Sequence, residues 1–213
     1  MDGEKLVVAP EGGPGTKDAG QLAAQIRPHF LLNALNTVYY LIGRDDAAAK
    51  EAVLDLGQYL RDSLTAMDSV EPIPLWRELE LVRAYLRLEQ RRYGGKIRVE
   101  YDLRETDFPV PVMAVQMLAE NAVKHGLFRN PEGGRIVIAS GRDDGGFYVS
   151  VTDDGPGYDH PAPGADDRRH IGLENIRLRL EDMFPEGAGL ELERCPDCGT
   201  RAVIRIREIK QNL

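Results

Sequence analysis

A histidine and two asparagines on one predicted helix could support nucleophilic chemistry. His29, Asn33 and Asn36 follow one another at intervals of four and three residues, in a run that is otherwise largely apolar. Side chains at these intervals lie on one face of an α-helix, and Pro28 predicts a bend at the histidine. A neutral imidazole has a lone pair and needs little activation as an acceptor. The alternative for a helical histidine is an ordinary packed or solvated side chain.

A second polar group lies late in an apolar helix predicted over residues 111–127. Asn121, Lys124 and His125 are three and four residues apart and would share a helix face. An asparagine carbonyl oxygen is a ligand that Mg²⁺ accepts, and the lysine and histidine could meet phosphate oxygens. The alternative is a solvated helix end, with two basic side chains near the negative end of the helix dipole.

Two glycine-containing segments follow. The segment Asp153–Gly157 (Asp-Asp-Gly-Pro-Gly) comes directly after a predicted strand. A carboxylate there can accept a hydrogen bond from an exocyclic amine, and the glycines let the backbone turn sharply. The segment His170–Leu173 (His-Ile-Gly-Leu) is predicted to open a helix at about Gly172, where free backbone amides form an anion site. The alternatives are a plain turn and an ordinary helix entry.

In this order and at these intervals, the three segments resemble the N, G1 and G2 boxes of the GHKL superfamily of ATP-binding domains. The resemblance covers residues 96–207 and implies a Bergerat fold that binds ATP and Mg²⁺ under a flexible lid. It implies that Asp153 bonds the adenine amine and that Asn121 is a ligand of Mg²⁺. The other implied nucleotide-binding residues are Lys124 and His125 near the phosphates, Gly155 and Gly157 in the hinge, and Gly172 with Leu173 at the lid edge. His170 stands where the family usually has glycine. This departure bears on the flexibility of the lid and on the nucleotide affinity at that edge.

The position four residues before Asn121 separates branches of that superfamily. GHKL ATPases and the anti-sigma serine kinases resemble one another in having a glutamate there, as base for a water or a serine hydroxyl. Here the residue is Met117, which cannot take a proton. Glu120 is adjacent to Asn121 and points about 100° away from it on a helix. Hydrolysis and serine phosphorylation are therefore disfavoured, and an imidazole acceptor is favoured.

The helix around His29 is similar to the H-box of LytS-type sensor histidine kinases, Gln-x-x-Pro-His-Phe-x-x-Asn-x-Leu-Asn, which residues 25–36 match. The likeness continues to about residue 207. It implies that His29 is autophosphorylated and that the phosphoryl group passes to an aspartate of a response regulator, often of the LytTR type. Phe30 stands where many other histidine kinases have an acid, so we expect solvent or a polar neighbour to remove the proton. Asn33 could orient the imidazole or place a water for dephosphorylation of the regulator.

The elements that position these groups follow from the hydrophobic periodicity. Residues 1–20 are predicted to be a flexible tail, 21–70 a helical hairpin, 71–95 a connecting helix, and 96–210 the ATP-binding domain. The hairpin's apolar stripes are expected to pair with a second copy as a four-helix bundle. The fold class is thus α+β, a dimerising hairpin followed by an α/β sandwich. We expect five aromatic residues to pack between the hairpin and the ATP-binding domain: Tyr39, Tyr40, Trp76, Tyr85 and Tyr93.

Composition limits the remaining possibilities. The 213 residues carry a net charge of -8, which argues against nucleic acid as the main partner. No apolar run approaches the ~20 residues that span a bilayer, so a cytoplasmic chain is expected, either soluble with a separate sensor or part of a longer kinase. Cys195 and Cys198 favour a plain turn over a redox or intermolecular metal site. Two alternatives to a kinase stay open: a GHKL ATPase and a non-catalytic dimeric nucleotide-sensing scaffold.

Overall fold

The structure, a computed structural model, describes residues 28–67, 71–127, 133–157, 168–185, 187–195 and 199–207. Its helices are α1 (Pro28–Leu41), α2 (Asp46–Met67), α3 (Leu75–Arg92), α4 (Ala114–Asn121) and α5 (Arg168–Met183), and a π-helix (Ala122–Leu127) continues α4. Its strands are β1 (Ile73–Pro74), β2 (Ile97–Leu103), β3 (Pro109–Val110), β4 (Gly134–Asp143), β5 (Gly146–Asp153), β6 (Ala188–Cys195) and β7 (Gly199–Ile206).

Four predicted features lie outside the described residues. They are the tail over residues 1–20, the start of the hairpin over 21–27, most of the predicted lid, over 158–167, and the segment 196–198, which includes Cys198. Because residues 21–27 precede the first described residue, Pro28, the bend expected at Pro28 stays a prediction.

A short turn joins α1 to α2, as the sequence predicts. Gly43 has a φ of +76°, a conformation that glycine adopts without strain. Asp45 precedes α2, and its Oδ1 accepts the backbone N–H of Ala48 at 2.9 Å, so it caps the helix. Asp46 Oδ1 accepts the backbone N–H of Gly43 at 2.9 Å. The Gly and Asp residues that interrupt the apolar pattern therefore build the turn of the hairpin.

Aromatic rings and ion pairs join the hairpin to α3. The ring centroid of Phe30 lies 4.7 Å from that of Tyr59 on α2 and 5.1 Å from that of Tyr85 on α3. Such pairs contribute about 1 kcal/mol each beyond their burial. Asp55 on α2 accepts from Arg87 Nε at 2.7 Å and forms an ion pair with Arg91. Two guanidinium groups thus compensate the buried Asp55 charge.

The two faces of α1 have different environments. Tyr85 packs against the hairpin as expected. Tyr39 and Tyr40 are 81% and 63% exposed, so the prediction that they pack between the hairpin and the ATP-binding domain is wrong. Trp76 is also largely exposed, whereas Tyr93 packs against the core. Tyr39 is nine residues from Phe30, which places it about 180° around the helix. The face that carries Tyr39 therefore points away from α3.

A five-stranded mixed sheet forms the second half of the chain, in the order β2-β4-β5-β7-β6. Strand β2 pairs with β4 in parallel, and the other neighbours are antiparallel. One face is apolar, with Ile138, Val151 and Ala202 in register across it, and it meets the helices. The opposite face carries ion pairs such as Arg201–Glu193. The predicted α+β class, a helical hairpin followed by a sheet with helices on one face, is confirmed.

Candidate functional site

The phosphoacceptor candidate His29 lies on the exposed side of α1. The structure brings it together with Asn33, whose Nδ2 donates to His29 Nδ1 at 3.1 Å. The contact from the same Nδ2 to His29 Nε2 is longer, 3.4 Å. These side chains are one helical turn apart, as their spacing predicted. The imidazole is therefore open to solvent but held in orientation by one neighbour.

Phe30 fixes the direction in which His29 points. Its ring is buried between Tyr59 and Tyr85, and successive residues of an α-helix point about 100° apart. Packing of the phenyl ring against α2 and α3 therefore turns the adjacent imidazole outward. Phe30 has no proton acceptor, and its role in this structure is to anchor the start of α1.

Asp153 is the last residue of β5 and lies on the side of the sheet that faces the helices. It is only 8% exposed, and its Oδ1 accepts the backbone N–H of Gly155 at 2.9 Å. The neighbouring Asp154 is exposed, and its Oδ1 accepts the backbone N–H of Arg135 at 2.8 Å. Of the two adjacent aspartates, Asp153 alone is placed to meet a ligand held between sheet and helices.

Gly199, at the start of β7, packs against the turn that follows Asp153. A Cβ atom there would lie 2.6 Å from the backbone N and O of Gly155 and 2.8 Å from the carbonyl oxygen of Asp153. Gly199 also has a φ of +71°. Gly157 has a φ of +85° and lies beside Arg194 and Gly199. The sequence reasoning missed Gly199, although a glycine directly after the Cys-Pro-Asp-Cys segment was a visible signal.

Gly199→Ala is expected to weaken nucleotide binding and to lower the free energy of unfolding. The added methyl group meets backbone atoms that cannot move aside without shifting Asp153, and its left-handed conformation costs about 1–3 kcal/mol. We expect MgADP affinity, measured by titration calorimetry, to fall about tenfold, as a loss of about 1.4 kcal/mol would produce. Gly189→Ala is the control, because no atom lies within 4 Å of its Cβ position. Equal affinities of the two variants would contradict the prediction.

Asn121 ends α4, and the backbone changes its hydrogen bonding immediately after it. The π-helix Ala122–Leu127 carries Lys124 and His125 and packs against β5. In a π-helix the bonds run from residue i to i+5, so Lys124 and His125 do not continue the α-helical geometry on which their predicted common face with Asn121 was based. Lys124 is exposed, and the side chain of His125 lies outside the described part of the chain. Such π segments occur frequently at functional sites.

Gly172 lies inside α5 and not at its start, which corrects the predicted helix boundary. The helix begins at Arg168, so the N–H of Gly172 is within reach of an intrahelical partner and is not a free anion-binding amide. A Cβ atom at Gly172 would lie 3.4 Å from Met117 Cε on α4. Leu173 is buried in the core. Gly172 therefore lies where α5 faces α4, at a distance at which an added methyl group would make an ordinary van der Waals contact.

The described residues contain no cluster of three or more His, Cys, Asp or Glu side chains that could hold a metal ion. Mg²⁺ in nucleotide sites is bound through few protein oxygens together with the phosphates. The amide oxygen of Asn121 fits that chemistry.

Comparison with known proteins identifies the family. The histidine kinase family model matches residues 18–97, the segment that contains His29 and the helices α1 to α3. The sensor protein LytS of Staphylococcus saprophyticus is 33% identical over 181 residues, which cover 80% of this chain and 30% of LytS. The chain belongs to the histidine kinase family. The LytS-type resemblance of its H-box is thereby confirmed.

Two other relatives of this histidine kinase chain extend the comparison. The sensor histidine kinase BtsS of Escherichia coli is 32% identical over 187 residues, covering 87% of this chain and 32% of BtsS. The protein YwpD of Bacillus subtilis is 34% identical over 185 residues, covering 84% of this chain and 66% of YwpD. The chain thus spans about a third of the length of LytS and BtsS. None of the helices in the described ranges has the length and apolar character needed to cross a membrane.

Proposed function

We propose that this chain is a protein-histidine kinase that transfers the γ-phosphoryl group of ATP to His29 and then to an aspartate of a response regulator. One observation carries the proposal: an exposed imidazole, held by Asn33, lies in the segment that the histidine kinase family model matches. We assign the regulator to the LytTR class on the H-box resemblance. The same chain supplies Asp153 and Asn121 for the nucleotide.

His29 Nε2 is the nitrogen that we assign as the nucleophile. Asn33 lies 3.1 Å from Nδ1 and 3.4 Å from Nε2, and we assign the more distant nitrogen, Nε2, to the incoming phosphoryl group. Its lone pair forms the N–P bond while the bond between the γ-phosphorus and the bridging oxygen breaks, so ADP leaves with that oxygen. Attack by Nε2 requires the ring proton on Nδ1, and this proton passes to solvent once the N–P bond has formed. Asn33 would accept a hydrogen bond from that proton through its carbonyl oxygen once its amide is turned over.

The nucleotide would lie between the sheet and the helices. Asp153 would accept a hydrogen bond from the adenine amine, and Gly155 and Gly157 would allow the base to approach the backbone. Lys124 and His125 would lie near the phosphates, with Gly172 and Leu173 along the lid edge. Mg²⁺, held by Asn121 and the phosphates, would neutralise charge on the transferring group, which is much of what phosphoryl transfer needs.

Met117 argues against the ATPase alternative. It occupies the position of the catalytic glutamate in GHKL ATPases, and its side chain lies against Gly172, where it offers no proton acceptor. Water in this site would therefore lack a base at the position where GHKL ATPases have their glutamate. An imidazole arriving from the hairpin needs little activation.

The hairpin is proposed to pair with a second copy of the chain. Its face away from α3 exposes a continuous set of large apolar side chains on both helices and the turn, namely Leu32, Leu35, Tyr39, Ile42, Val53 and Leu54. Patches of this kind on a soluble chain mark interaction sites. Four helices from two copies would bury this face, as in four-helix bundles.

Leu54→Glu is expected to convert a dimer to a monomer in sedimentation equilibrium. A carboxylate at this exposed apolar position would have to be buried in the bundle, which is costly without a partner. Leu178→Glu, at an exposed leucine on α5, is the matched control and should stay dimeric. A Leu54→Glu variant that keeps the parent's mass would place the dimer contact elsewhere.

We propose that in the cell this chain works with a sensor, as LytS and BtsS are both named sensors and are about three times as long as the region they share with it. The sensor would be a separate protein or a further part of the same polypeptide. In either arrangement the hairpin and nucleotide domain are the cytoplasmic catalytic portion.

Incubation with γ-labelled ATP and Mg²⁺ tests the function directly. A kinase gives protein-bound label that is lost in acid and stable in base, the behaviour of a phosphoramidate. Free phosphate without labelled protein identifies an ATPase. Neither product, with nucleotide still bound, identifies a nucleotide-sensing scaffold.

Asn33→Ala is expected to slow the labelling of His29 by about ten- to a hundredfold. The contact that orients the imidazole is lost, and misplaced reactants cost this order of rate. Initial rates of autophosphorylation and of dephosphorylation of the regulator should be measured separately, because Asn33 could also place a water. Asn33→Asp is the informative companion variant, since its carboxylate can still accept a hydrogen bond from Nδ1–H of His29. Unchanged rates in both assays for Asn33→Ala would exclude both roles.

A further inference from the structure

The nucleotide-binding helix α4 begins without a capping side chain of its own. Met113, the residue before it, has a φ of +60° and makes no side-chain cap. The first backbone N–H groups of a helix have no intrahelical partner and need one when they are buried. Ala114 and the residues after it are buried. The carbonyl oxygen of Pro111 accepts the N–H of Ala114 at 3.2 Å, whereas the N–H groups of Met113 and Gln116 are bonded from another part of the chain.

Glu78 of α3 supplies those partners. Its Oε2 accepts the backbone N–H of Met113 at 2.8 Å, and its Oε1 accepts that of Gln116 at 3.0 Å. Glu78 is fully buried, and a negative charge is favourable at the positive end of a helix. Both carboxylate oxygens are therefore committed to the start of α4.

A third helix reaches the same place. Arg179 of α5 donates from Nη1 to the carbonyl oxygen of Val112 at 2.9 Å, one residue before Met113. Burial raises the pKa of the Glu78 carboxyl to about 7, while the backbone N–H groups and the charge of Arg179 lower it. The start of α4 is thus held between α3 on one side and α5 on the other.

Hydrogen bonds continue from this junction to the proposed magnesium ligand. The Gln116 side chain donates from Nε2 to Glu120 Oε1 at 3.0 Å, and Glu120 is the residue before Asn121. Gln116 is itself fully buried. The anchored first turn of α4 is therefore connected by side chains to its last turn, where Asn121 lies.

The helix that carries Glu78 is also the helix that holds the hairpin. Tyr85 is seven residues after Glu78, two helical turns along α3, and contacts Phe30. Phe30 is adjacent to His29. One helix therefore contacts the anchor of the phosphoacceptor at one point and the anchor of the nucleotide-binding helix at another.

We propose that Glu78 is a positioning residue for phosphoryl transfer, whose carboxylate fixes the start of α4, and through it Asn121, to the helix that supports the phosphoacceptor hairpin. This inference rests on the proposed function, in that Asn121 is taken to meet MgATP. A carboxylate is required because both oxygens accept from N–H groups. An amide at this position presents an N–H group to one of those donors and leaves it unpaired.

Glu78→Gln tests the proposal, with Val82→Ala and Glu80→Gln as controls on the same helix. Val82 is fully buried and controls for lost stability, and Glu80 is exposed and controls for lost charge. We expect Glu78→Gln to raise the KM for MgATP and the Kd for MgADP about tenfold, while the rate of His29 labelling at saturating ATP changes less. Both controls should keep the parent's KM, even where Val82→Ala lowers the Tm as far as Glu78→Gln does.

The pH profile separates positioning from a structural role. Protonated Glu78 offers one acceptor fewer, as glutamine does, and the charged group that faces it in the described structure is Arg179. The ratio of parent to Glu78→Gln affinity for MgADP should therefore be largest above pH 8 and shrink towards pH 6. The titration of the nucleotide cancels in this ratio.

Each outcome is decisive. A parent that binds no MgADP overturns the proposed nucleotide site itself. A parent that binds, with Glu78→Gln equal to it or Val82→Ala as weak as Glu78→Gln, overturns the role of Glu78. If Glu78→Gln does not fold, Arg179→Gln replaces it, since it removes the bond to Val112 from the other side. An unchanged MgADP Kd in that variant would overturn the junction.

Discussion

Replacement of His29 by glutamine is expected to reduce acid-labile labelling from γ-labelled ATP by at least on the order of 10³-fold, the scale of losing a nucleophile. Glutamine presents an amide at about the reach of the imidazole ring but has no nucleophilic lone pair. The residue is exposed and its described side-chain hydrogen bond is to Asn33, so little stability depends on it. MgADP affinity should stay at the parent value, because the hairpin contributes none of the proposed nucleotide-binding side chains.

Lys50→Gln is the matched control for His29→Gln. Lys50 is exposed on α2 of the same hairpin, outside the H-box, and its replacement leaves the contact between Asn33 and His29 intact. It should label at close to the parent rate. Persistent acid-labile label in His29→Gln would show that another of the four histidines accepts the phosphoryl group. Phosphopeptide mapping at neutral pH would then identify it.

The helical hairpin and the positions of the strands along the chain were predictable because they depend on local signals. The apolar periodicity set the helices, and Gly43 with Asp45 set the turn between them. Alternation of apolar residues indicated the strands, and the Asp-Gly-Gly sequence at 144–146 indicated the hairpin between β4 and β5. These features need no knowledge of what packs against them.

Features that depend on a neighbouring element were not predictable in the same way. The sequence predicted a helix start at Gly172, yet the helix begins four residues earlier, at Arg168, and Gly172 lies within it facing Met117 of α4. The change from α-helix to π-helix after Asn121 occurs where the chain contacts β5, and the sequence carried no local signal for it. Tyr39 and Tyr85 have similar side chains, and periodicity alone does not tell which one faces α3.

At Glu78 the sequence carried a signal of an unusual buried charge, and the sequence-based predictions did not use it. Glu78 is three residues after Leu75 and one before Leu79, on the stripe of α3 that is buried. A charged residue on a buried stripe requires a partner. The sequence could show the anomaly but not the partner, because the backbone N–H groups of Met113 and Gln116 are more than thirty residues away.

Asp153→Asn is expected to lower the affinity for MgADP by about ten- to a hundredfold, the worth of a hydrogen bond to a charged group. The carboxylate would accept from the adenine amine in the proposed site, whereas an asparagine amide can turn an N–H group toward that donor. Asp153 is nearly buried, so water replaces the lost bond poorly. Titration calorimetry measures the Kd, and Asp154→Asn, at the exposed neighbour, should bind like the parent.

The same substitution should change the preference for the base. Hypoxanthine and guanine carry a carbonyl oxygen where adenine carries the amine, and this oxygen can accept from the amide that the substitution introduces. The ratio of MgIDP to MgADP affinity should therefore rise in Asp153→Asn, even if both affinities fall. A general disruption of the turn at Gly155 would weaken both nucleotides equally, so an unchanged ratio would contradict direct contact between Asp153 and the base. Because hydrogen-bond polarity decides this ratio and stability does not, it tests the assignment of the adenine site more sharply than loss of binding does.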